Sequence, residues 1–482
     1  FIAYPVMKVS PKNGRVGLAF ANGVTRFNMA GCNNFGWDWK SARQFDGNWA
    51  QYVFTEFAFD ENDYSYGIAT GVDMNKNENG HAGGASNSKF VARRAGTISD
   101  YNSYGNGNGT KNGWGQRLEN IGNLGEKASG STPQKYQADP DRIQSPSIAT
   151  VINSSGSDET CIYLAYYDAI NKHIRYRYGL VSGTSGESYY GDRHNHKGQL
   201  TDLHGYGKLQ EPDGRDYSIL AGSKTEVQKS LGDQGSTGAN KAGKYVSLGA
   251  IKNGAGSKDV VVALWYNFQA RSLMYAYCDD PRKDDVTWKG VKEVDGGGEY
   301  VKCAVDGDNG IHVAYYSNGD LKYAYLSSYS SDDWKIATVD SYSLTGTHVS
   351  IDLAKDPTTK KWVPYIGYYM PGNANARLAY LVGGVDSVVP NGAENEKYTC
   401  SWEISIVPTK NIIKEYRISV GVWKEPNGGN KGVLKAIPKL NTETVDAYRG
   451  EGESLVGGNG TINPMLGYAI EEGGAFELAQ KK

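Results

Sequence analysis

The chain has 482 residues, and its 51 basic and 53 acidic side chains nearly cancel to a formal net charge of −2. This balance and the lack of a basic run exclude the electrostatic footprint of a nucleic-acid-binding protein. No apolar stretch reaches the roughly 18 residues that a membrane-spanning helix needs. The 62 glycines and 35 tyrosines predict an all-β protein, because glycine serves tight turns and tyrosine suits a half-buried sheet surface.

The predicted strands, taken in chain order, fall into repeated units. The first unit is weak and begins at 5–31, PVMKVSPKNGRVGLAFANGVTRFNMAG, after which NWAQYVFTEF predicts a fourth strand led by Trp49. A second weak unit carries a long insertion, and its fourth strand is predicted after Trp114. Clearer copies then occupy 146–178, 245–277, 299–328 and 348–381.

The clearest copy, 299–328, reads EYVKCAVDGDNGIHVAYYSNGDLKYAYLSS. It predicts three alternating strands joined by an Asp-Gly-Asp-Asn-Gly turn and a Ser-Asn-Gly-Asp turn. Fourth strands that open on Trp288 and Trp334 complete two of the copies. The copy at the C terminus is incomplete, so we expect a strand from the N terminus to complete it.

Seven units result, and the spacing of their starts suits a four-stranded propeller blade. They lie near 5–55, 56–125, 145–222, 245–295, 299–343, 347–407 and 416–482. Each unit buries its faces only against its neighbours, which favours a closed ring. We therefore expect residues 1–482 to form a single β-propeller domain, with seven blades favoured and six or eight as alternatives. An open solenoid is the runner-up architecture.

Two stretches interrupt the repeat, 74–112 and 182–243, and both are rich in Gly, Asn and Ser. Such composition predicts surface loops, which on a propeller gather on a face and often carry binding residues. The chain begins at Phe1, which suggests a removed export signal or a trimmed chain. We expect an extracellular, cell-surface or periplasmic protein.

The N-terminal text YPVMKVSPKNGRVGLAFANG resembles the opening of sialidase-like propellers built from BNR repeats. In that family an arginine precedes the proline of the opening stretch and helps to bind the substrate carboxylate. Here Ile2-Ala3-Tyr4-Pro5 keeps the proline without the arginine. The family's Asp-box also loses its Ser and Asp spacing in RKDDVTWK and SSYSSDDWK, which keep only the tryptophan. The resemblance implies the propeller fold and argues against sialidase activity.

Catalysis by another acid and base needs two carboxyl groups at a fixed separation. The candidate carboxylates are Glu56, Asp60, Asp168 and Glu403, with Arg15, Arg26 and Arg142 as candidate charge clamps. Most acidic residues of the chain lie in Gly/Asn turns, where a carboxylate ordinarily caps the turn. We therefore expect no catalytic residue, with a glycoside hydrolase as the alternative.

Metal sites are weakly indicated. His194, His196 and His204 lie close together, but their spacing fits no zinc motif, so we expect a polar loop. The stretches 306–310 (DGDNG) and 60–65 (DENDYS) supply only part of a calcium shell, and a hairpin turn explains the first. We expect no cofactor.

The five cysteines, Cys32, Cys161, Cys278, Cys303 and Cys400, lack metal-ligand spacing and are expected to be buried free thiols. The alternative is a single disulfide between Cys278 and Cys303.

Aromatic residues are the remaining resource for function. In the paired tyrosines of the repeat, such as Tyr315 and Tyr316, one ring is expected to pack between units and the other to point outward. Aromatics outside the repeat suit a glycan or a protein partner. The candidate binding residues are Trp37, Trp39, Tyr101, Tyr104, Tyr189, Tyr190 and Tyr206.

The leading hypothesis for function is a non-enzymatic binding or assembly module. Its long loops would contact a protein partner, a second copy of the chain, or a glycan. A sialidase-like hydrolase with a rewritten site and a structural subunit of a surface filament or layer are the alternatives.

Overall fold

The structure is a computed structural model, and it describes part of the chain. The described residues are 2–10, 16–22, 26–32, 39–46, 50–60, 64–73, 87–97, 116–121, 143–152, 160–168, 173–181, 200–201, 217–218, 245–256, 258–267, 270–281, 288–356, 359–373, 375–391, 397–406, 421–423, 434–440, 466–472 and 475–479. Among them the helical turns are two short 3-10 turns, Pro371–Asn373 and Val385–Ser387. None of the described residues form a helix long and apolar enough to span a membrane.

The described strands form consecutive antiparallel sheets, most of four strands in chain order. The first sheet comprises β1 (Ile2–Val9), β2 (Val16–Asn22), β3 (Arg26–Cys32) and β4 (Trp39–Asp46). The second comprises β5 (Ala50–Phe59), β6 (Tyr64–Asp73), β7 (Asn87–Thr97) and β8 (Gln116–Ile121). The third comprises β9 (Ile143–Ile152), β10 (Thr160–Asp168), β11 (His173–Val181) and β12 (Leu200–Thr201), and β13 (Tyr217–Ser218) also pairs with β11.

Four further sheets follow the same plan. The fourth comprises β14 (Ser247–Ala255), β15 (Lys258–Asn267), β16 (Ser272–Cys278) and β17 (Lys289–Gly296). The fifth comprises β18 (Glu299–Val305), β19 (Ile311–Ser317), β20 (Asp320–Leu326) and β21 (Lys335–Asp340). The sixth comprises β22 (Thr347–Lys355), β23 (Trp362–Met370), β24 (Asn375–Leu381) and β27 (Trp402–Ile406), with β25 (Val389–Pro390) and β26 (Tyr398–Thr399) paired beside it. The last comprises β28 (Gly421–Trp423), β29 (Leu434–Leu440), β30 (Leu466–Glu472) and β31 (Ala475–Ala479).

The first strands of the sheets contact one another in chain order. β1 contacts β5, β5 contacts β9, and the series continues through β14, β18 and β22. β28 of the last sheet contacts both β22 and β1, so the last sheet touches the first. Neighbouring sheets therefore meet along their first strands, and the fourth strand lies at the opposite edge of each four-stranded sheet.

The hydrophobic core lies between neighbouring sheets. Alternate residues of β18, Val301 and Cys303, join a buried cluster with Ile251 and Leu264 of the preceding sheet. Burying an aliphatic side chain of this size contributes about 1.5–3 kcal/mol. Neither sheet can bury this face without the other, so the alternation of the repeat dictates face-to-face packing.

The fourth-strand tryptophans pack against the preceding sheet, as the repeat predicts. Each makes an edge-to-face contact with a tyrosine, with ring centroids 5.2–6.5 Å apart. The pairs are Trp288 with Tyr163, Trp334 with Tyr275, and Trp402 with Tyr323.

An aspartate at the end of a fourth strand links its own sheet to the next one. At the end of β17, Asp295 accepts a hydrogen bond of 2.7 Å from the Tyr315 hydroxyl on β19. The Lys322 ammonium on β20 lies 3.1 Å from the same carboxylate. Tyr315 and Lys322 are partners across the β19–β20 ladder, so the arrangement needs one residue from each of three strands. We call this arrangement the inter-sheet clasp.

The clasp recurs one sheet later. Asp340, at the end of β21, accepts hydrogen bonds from the Tyr368 hydroxyl at 2.6 Å and from Arg377 at 2.9 Å. Its other carboxylate oxygen accepts the Tyr342 amide at 3.0 Å. In the fourth sheet the corresponding ladder pair is Trp265 with Met274, which is apolar.

Several sequence expectations require correction. The fourth strand of the first sheet is β4, which begins at Trp39, whereas 50–59 is the first strand of the second sheet. The prediction of a Trp49-led fourth strand was wrong because the stretch that follows Trp49 pairs with β6 rather than β3. The last sheet takes all four strands from its own segment, with β29 supplying the strand that was expected from the N terminus.

Two of the chemical alternatives are also resolved. Cys278 and Cys303 are both buried, and no disulfide joins them. The 306–310 stretch is a hairpin turn, in which one oxygen of Asp306 accepts the Asp308 and Gly310 amides and the other bonds His312. Both carboxylate oxygens thus take part in the turn, which confirms the hairpin interpretation. No group of three or more potential metal ligands is present within the described ranges.

The paired tyrosines agree with expectation in one case only. Tyr315 is buried and Tyr316 is half-buried, but Tyr368 and Tyr369 are both buried. The second ring of a pair is therefore not always exposed.

Candidate functional site

The first strands begin with a repeated bulge. Near its start, the first strand has one residue more than the stretch of the second strand that it pairs with. This holds for β1, β5, β9, β18 and β22. The residue at the bulge has a left-handed backbone in several sheets: φ is 49° at Ser145, 56° at Tyr300 and 52° at His348. Tyr245 precedes β14 at the equivalent position with φ 65°.

Left-handed backbone is uncommon for residues other than glycine and costs roughly 1–3 kcal/mol where it is forced. Its recurrence at equivalent positions makes it a feature of the repeat. Bulges of this kind re-aim a side chain at the rim of a sheet.

The bulges bring three rings together into a row across three consecutive sheets. The Tyr245 and Tyr300 ring centroids are 4.5 Å apart, and those of Tyr300 and His348 are 4.8 Å apart. We call Tyr245, Tyr300 and His348 the aromatic row. All three are half-buried, and Tyr316 and Tyr369 stand beside the row at 6.4 and 6.3 Å.

His348 carries an unsatisfied polar atom in this row. Its Nδ1 is buried and has no hydrogen-bond partner among the described residues. Burial lowers the pKa of His348 to about 4, so the ring is neutral at physiological pH. An unpaired buried polar atom costs about 1–3 kcal/mol. The site therefore offers a hydrogen-bonding atom that the described protein groups do not use.

Glu299 supplies negative charge beside the row. It precedes Tyr300 and pairs with Tyr316 across the β18–β19 ladder. Burial raises the pKa of Tyr266 and Tyr316, and the nearby Glu299 carboxylate raises both further. Burial raises the pKa of Tyr245, and the neighbouring Tyr300 and Glu299 raise this pKa further. The carboxylate thus lies close to three tyrosine hydroxyls.

A second polar group lies farther along the first strands. Ser147 and Ser247 occupy equivalent positions, and each accepts an amide of the next first strand: Leu248 at 2.9 Å and Cys303 at 3.0 Å. In the fifth sheet the equivalent position is Lys302, which does not follow this pattern. Its ammonium lies 2.7 Å from Glu56 of the second sheet.

Glu56 is buried in this ion pair. One carboxylate oxygen meets Lys302 and the other accepts the Phe57 amide at 3.1 Å. Burial alone would raise the pKa of Glu56, but Lys302 and Lys8 outweigh burial and hold this pKa below its ordinary value. A catalytic acid needs a raised pKa. Glu56 therefore serves as an ionised structural partner.

The other predicted carboxylates are scattered. Asp60 is buried and accepts the Tyr66 hydroxyl at 2.7 Å, and Glu403 lies exposed on β27, where it accepts the Tyr380 hydroxyl. Asp168 ends β10, and Arg26 begins β3. Arg15 and Arg142 lie outside the described residues.

The predicted binding aromatics are almost all outside the described residues. This holds for Trp37, Tyr101, Tyr104, Tyr189, Tyr190 and Tyr206, and also for His194, His196 and His204. Trp39 begins β4 and pairs with Cys32 across the β3–β4 ladder. These assignments stay predictions.

The long insertions are attached at defined strand ends. β6 ends at Asp73, which pairs with both Ala50, at the start of β5, and Asn87, at the start of β7. Residues 74–86 are therefore attached at the end of the sheet where its first strand begins. The 74–112 stretch also contains β7, and 182–243 contains β12 and β13.

The aromatic row was not predicted from the sequence, although the sequence contains a signal for it. An aromatic residue followed by valine opens three first strands, as YVSLGA, YVKCAV and HVSIDL. Alternation assigns the valine to the core, as observed for Val246, Val301 and Val349. It leaves the aromatic unassigned, because period-two patterning does not predict a left-handed bulge.

No protein-family profile matches the chain, and no curated protein sequence matches it. Solved structures are similar to it at low identity. The fungal lectin of Aleuria aurantia, a six-bladed β-propeller with a fucose recognition mode, has 8% identity over 88% of this chain and 93% of its own, with a TM-score of 0.40.

Sialidases are also among the similar structures. The leech intramolecular trans-sialidase has 12% identity over 92% of this chain and 65% of its own, with a TM-score of 0.41. The NanB sialidase of Streptococcus pneumoniae has 10% identity over 92% and 65%, with a TM-score of 0.38.

Proposed function

We propose that this chain is an exported, seven-bladed β-propeller that binds a glycan without turning it over. The binding site is the aromatic row, at the end of the ring where the first strands begin. The observation that carries the proposal is the left-handed bulge, which presents Tyr245, Tyr300 and His348 side by side in three consecutive sheets.

Closure of the ring is supported by the contacts of β28. A strand that touches both β22 and β1 bridges the sixth sheet and the first. Each sheet of a repeat protein buries its faces against neighbours, and a ring leaves no terminal face exposed. Seven sheets of at least four strands then correspond to seven blades.

Binding without turnover is supported by the state of Glu56. Hydrolysis of a glycosidic bond needs a protonated carboxylic acid beside a second carboxylate. The Glu56 carboxylate is instead held ionised by two lysines, and its two oxygens bond Lys302 and Phe57.

The loop aromatics extend the proposed site. Residues 74–86 are attached at the same end of the second sheet as the start of β5. Trp37, Trp39, Tyr101, Tyr104, Tyr189, Tyr190 and Tyr206 are proposed to add contacts around the row.

A glycan array with the full chain tests the proposal. We expect binding to a limited set of glycans and a loss of at least about tenfold in affinity for Tyr300→Leu, since removing a stacked aromatic costs a hot-spot contact of this order. Tyr342→Leu is the matched control, because Tyr342 is 63% exposed and lies on the 341–346 connection rather than in the row. Unchanged binding of Tyr300→Leu would place the site elsewhere.

The alternative functions appear as distinct outcomes. Turnover of a glycoside panel that a single carboxylate substitution abolishes, in a variant that keeps its fold, would identify a hydrolase. Concentration-dependent self-association without glycan binding would identify an assembly subunit.

A further inference from the structure

We propose that the aromatic row takes a positively charged amino sugar, with Glu299 as the counter-charge. The inference rests on the proposed glycan-binding function and names the ligand class of the same site. It combines three observations: a row of rings, a carboxylate beside it, and a buried nitrogen without a partner.

The rings give the ligand a surface to lie along rather than the attraction for its charge. The row spacing of 4.5–4.8 Å leaves no room for a group between adjacent rings, so neighbouring rings cover each other's faces. The ligand therefore lies along the exposed side of the row, where it meets ring edges, and the Glu299 carboxylate supplies the attraction for the cation.

Glu299 supplies the charge that the ligand balances. No lysine, arginine or histidine of the described residues forms an ion pair with Glu299 at 4 Å or less. Arg271 is the basic group in the surroundings, on the turn that precedes β16, and it acts on Tyr266. The carboxylate is half-buried beside tyrosine hydroxyls, where an attractive charge is screened less than at an open surface.

His348 explains why the ligand is a sugar rather than a simple ammonium ion. Its buried Nδ1 has no partner among the described residues, and the ring is neutral at physiological pH. A neutral imidazole does not repel a cation, and the ring has to turn on binding so that this buried nitrogen meets a ligand hydroxyl group. A ligand that offers an ammonium and neighbouring hydroxyls satisfies both groups at once.

Calorimetry with two oligosaccharides tests the inference on the full chain. The probes are a trimer of glucosamine with free amines and its fully N-acetylated counterpart, at a mildly acidic pH where the amines are protonated. We expect the cationic trimer to bind at least about tenfold more tightly, which corresponds to about 1.4 kcal/mol.

Variants locate the effect. Glu299→Gln should remove the preference for the cationic trimer and leave the N-acetylated trimer unchanged, whereas Glu299→Asp should retain part of it. Glu293→Gln is the control, because Glu293 is an exposed glutamate on the adjacent β17. Circular dichroism of each variant shows whether the fold is kept.

The outcomes separate this inference from the proposed function. Equal binding of the two trimers, reduced by Tyr300→Leu, would overturn the cationic ligand and leave a neutral glycan site. Binding of other glycans but of neither trimer would overturn it too. Absence of binding to any glycan would overturn both proposals, and a protein ligand retained in that case would assign the row to a protein interface.

Discussion

Lys302 occupies a position that holds serine in the third, fourth and sixth sheets, where the residues are Ser147, Ser247 and Ser350. Ser147 and Ser247 each bond the next first strand, whereas Lys302 reaches a residue 246 positions away in the chain. A buried carboxylate stays ionised only with such a partner, since desolvation otherwise favours its neutral form. The single change from serine to lysine therefore converts a local link into a link across the assembly.

Replacing Lys302 by methionine should destabilise the fold by about 2–3 kcal/mol. Breaking a buried pair costs about 3–5 kcal/mol, and the partial exposure of Lys302 reduces this. The double variant with Glu56→Gln should recover most of the loss, because no charge is then left buried. Urea unfolding measures both. Lys355→Met, which removes a surface pair with Asp308, should stay within about 0.5 kcal/mol of the parent. A similarly small loss for Lys302→Met would contradict the buried-pair account.

His348 should make stability fall as the pH drops from about 6.5 to about 4, because its pKa is lowered in the folded protein. Between these two pH values the unfolded chain binds the proton and the folded chain does not. The contribution of His348 to stability is therefore fully present above this range and is lost as the pH falls through it. The loss attributable to His348 is roughly up to 3 kcal/mol. His348→Phe should flatten this part of the profile. His312, whose pKa burial also lowers, should leave a residual slope. An unchanged profile in His348→Phe would show that the ring is already solvated.

The clasp is the element that ties consecutive sheets together. Its aspartate comes from the end of a fourth strand, and its tyrosine and basic residue come from the next sheet. In the 341–346 connection, the Asp340 carbonyl also accepts the Thr345 hydroxyl at 2.7 Å. The connection is thereby fixed at both ends while Tyr342 and Leu344 remain exposed.

Asp340→Asn should cost about 2–3 kcal/mol, because hydrogen bonds to a buried charged group contribute about 1.5–3 kcal/mol and Arg377 loses its counter-charge. Tyr368→Phe should cost about 1 kcal/mol, since it removes one of the three donors to Asp340. Thermal or denaturant unfolding measures both changes. Asp333→Asn, at an exposed aspartate on the segment before β21, is the control and should be neutral within about 0.5 kcal/mol. Equal losses of stability in Asp340→Asn and Asp333→Asn would show that the clasp does not stabilise the fold.

The strands and their grouping could be predicted from the sequence because successive side chains of a strand alternate between the two faces of its sheet. Val301, Cys303 and the fourth-strand tryptophans packed as the text indicates. The boundary between the first two sheets was misplaced, since Trp39 and Trp49 both precede strand-like text and only pairing distinguishes them. The Glu56–Lys302 pair depends on contact between residues far apart in the chain, and the aromatic row depends on left-handed backbone. Neither feature produces a periodic pattern in the sequence.

At the scale of the whole molecule, the inner strands determine the shape. Every first strand of the described sheets contacts the first strands on either side, and β28 connects the two ends of the series. An open series would leave one face of the first sheet and one face of the last without a neighbour. A closed series leaves the fourth strands and the connections as its outer surface.

A variant that ends at residue 406 tests closure. It lacks the last sheet, so β1 and β22 lose their contacts with β28. In a closed ring this should expose apolar faces on two sheets at once, lower the unfolding midpoint strongly and increase binding of a hydrophobic dye. In an open solenoid, loss of one terminal repeat removes only a single interface. A midpoint close to that of the full chain would favour the open arrangement.

The left-handed bulge has a consequence for how recognition can change over time. Glycine is the residue that such backbone favours, yet the four positions hold serine, two tyrosines and histidine. Each accepts a backbone cost of roughly 1–2 kcal/mol to keep a side chain there. Because the repeat fixes the backbone, we expect that the side chain at each of these positions can be substituted without changing the scaffold. One substitution at 245, 300 or 348 should therefore change one contact of the proposed binding site and leave the scaffold as it is.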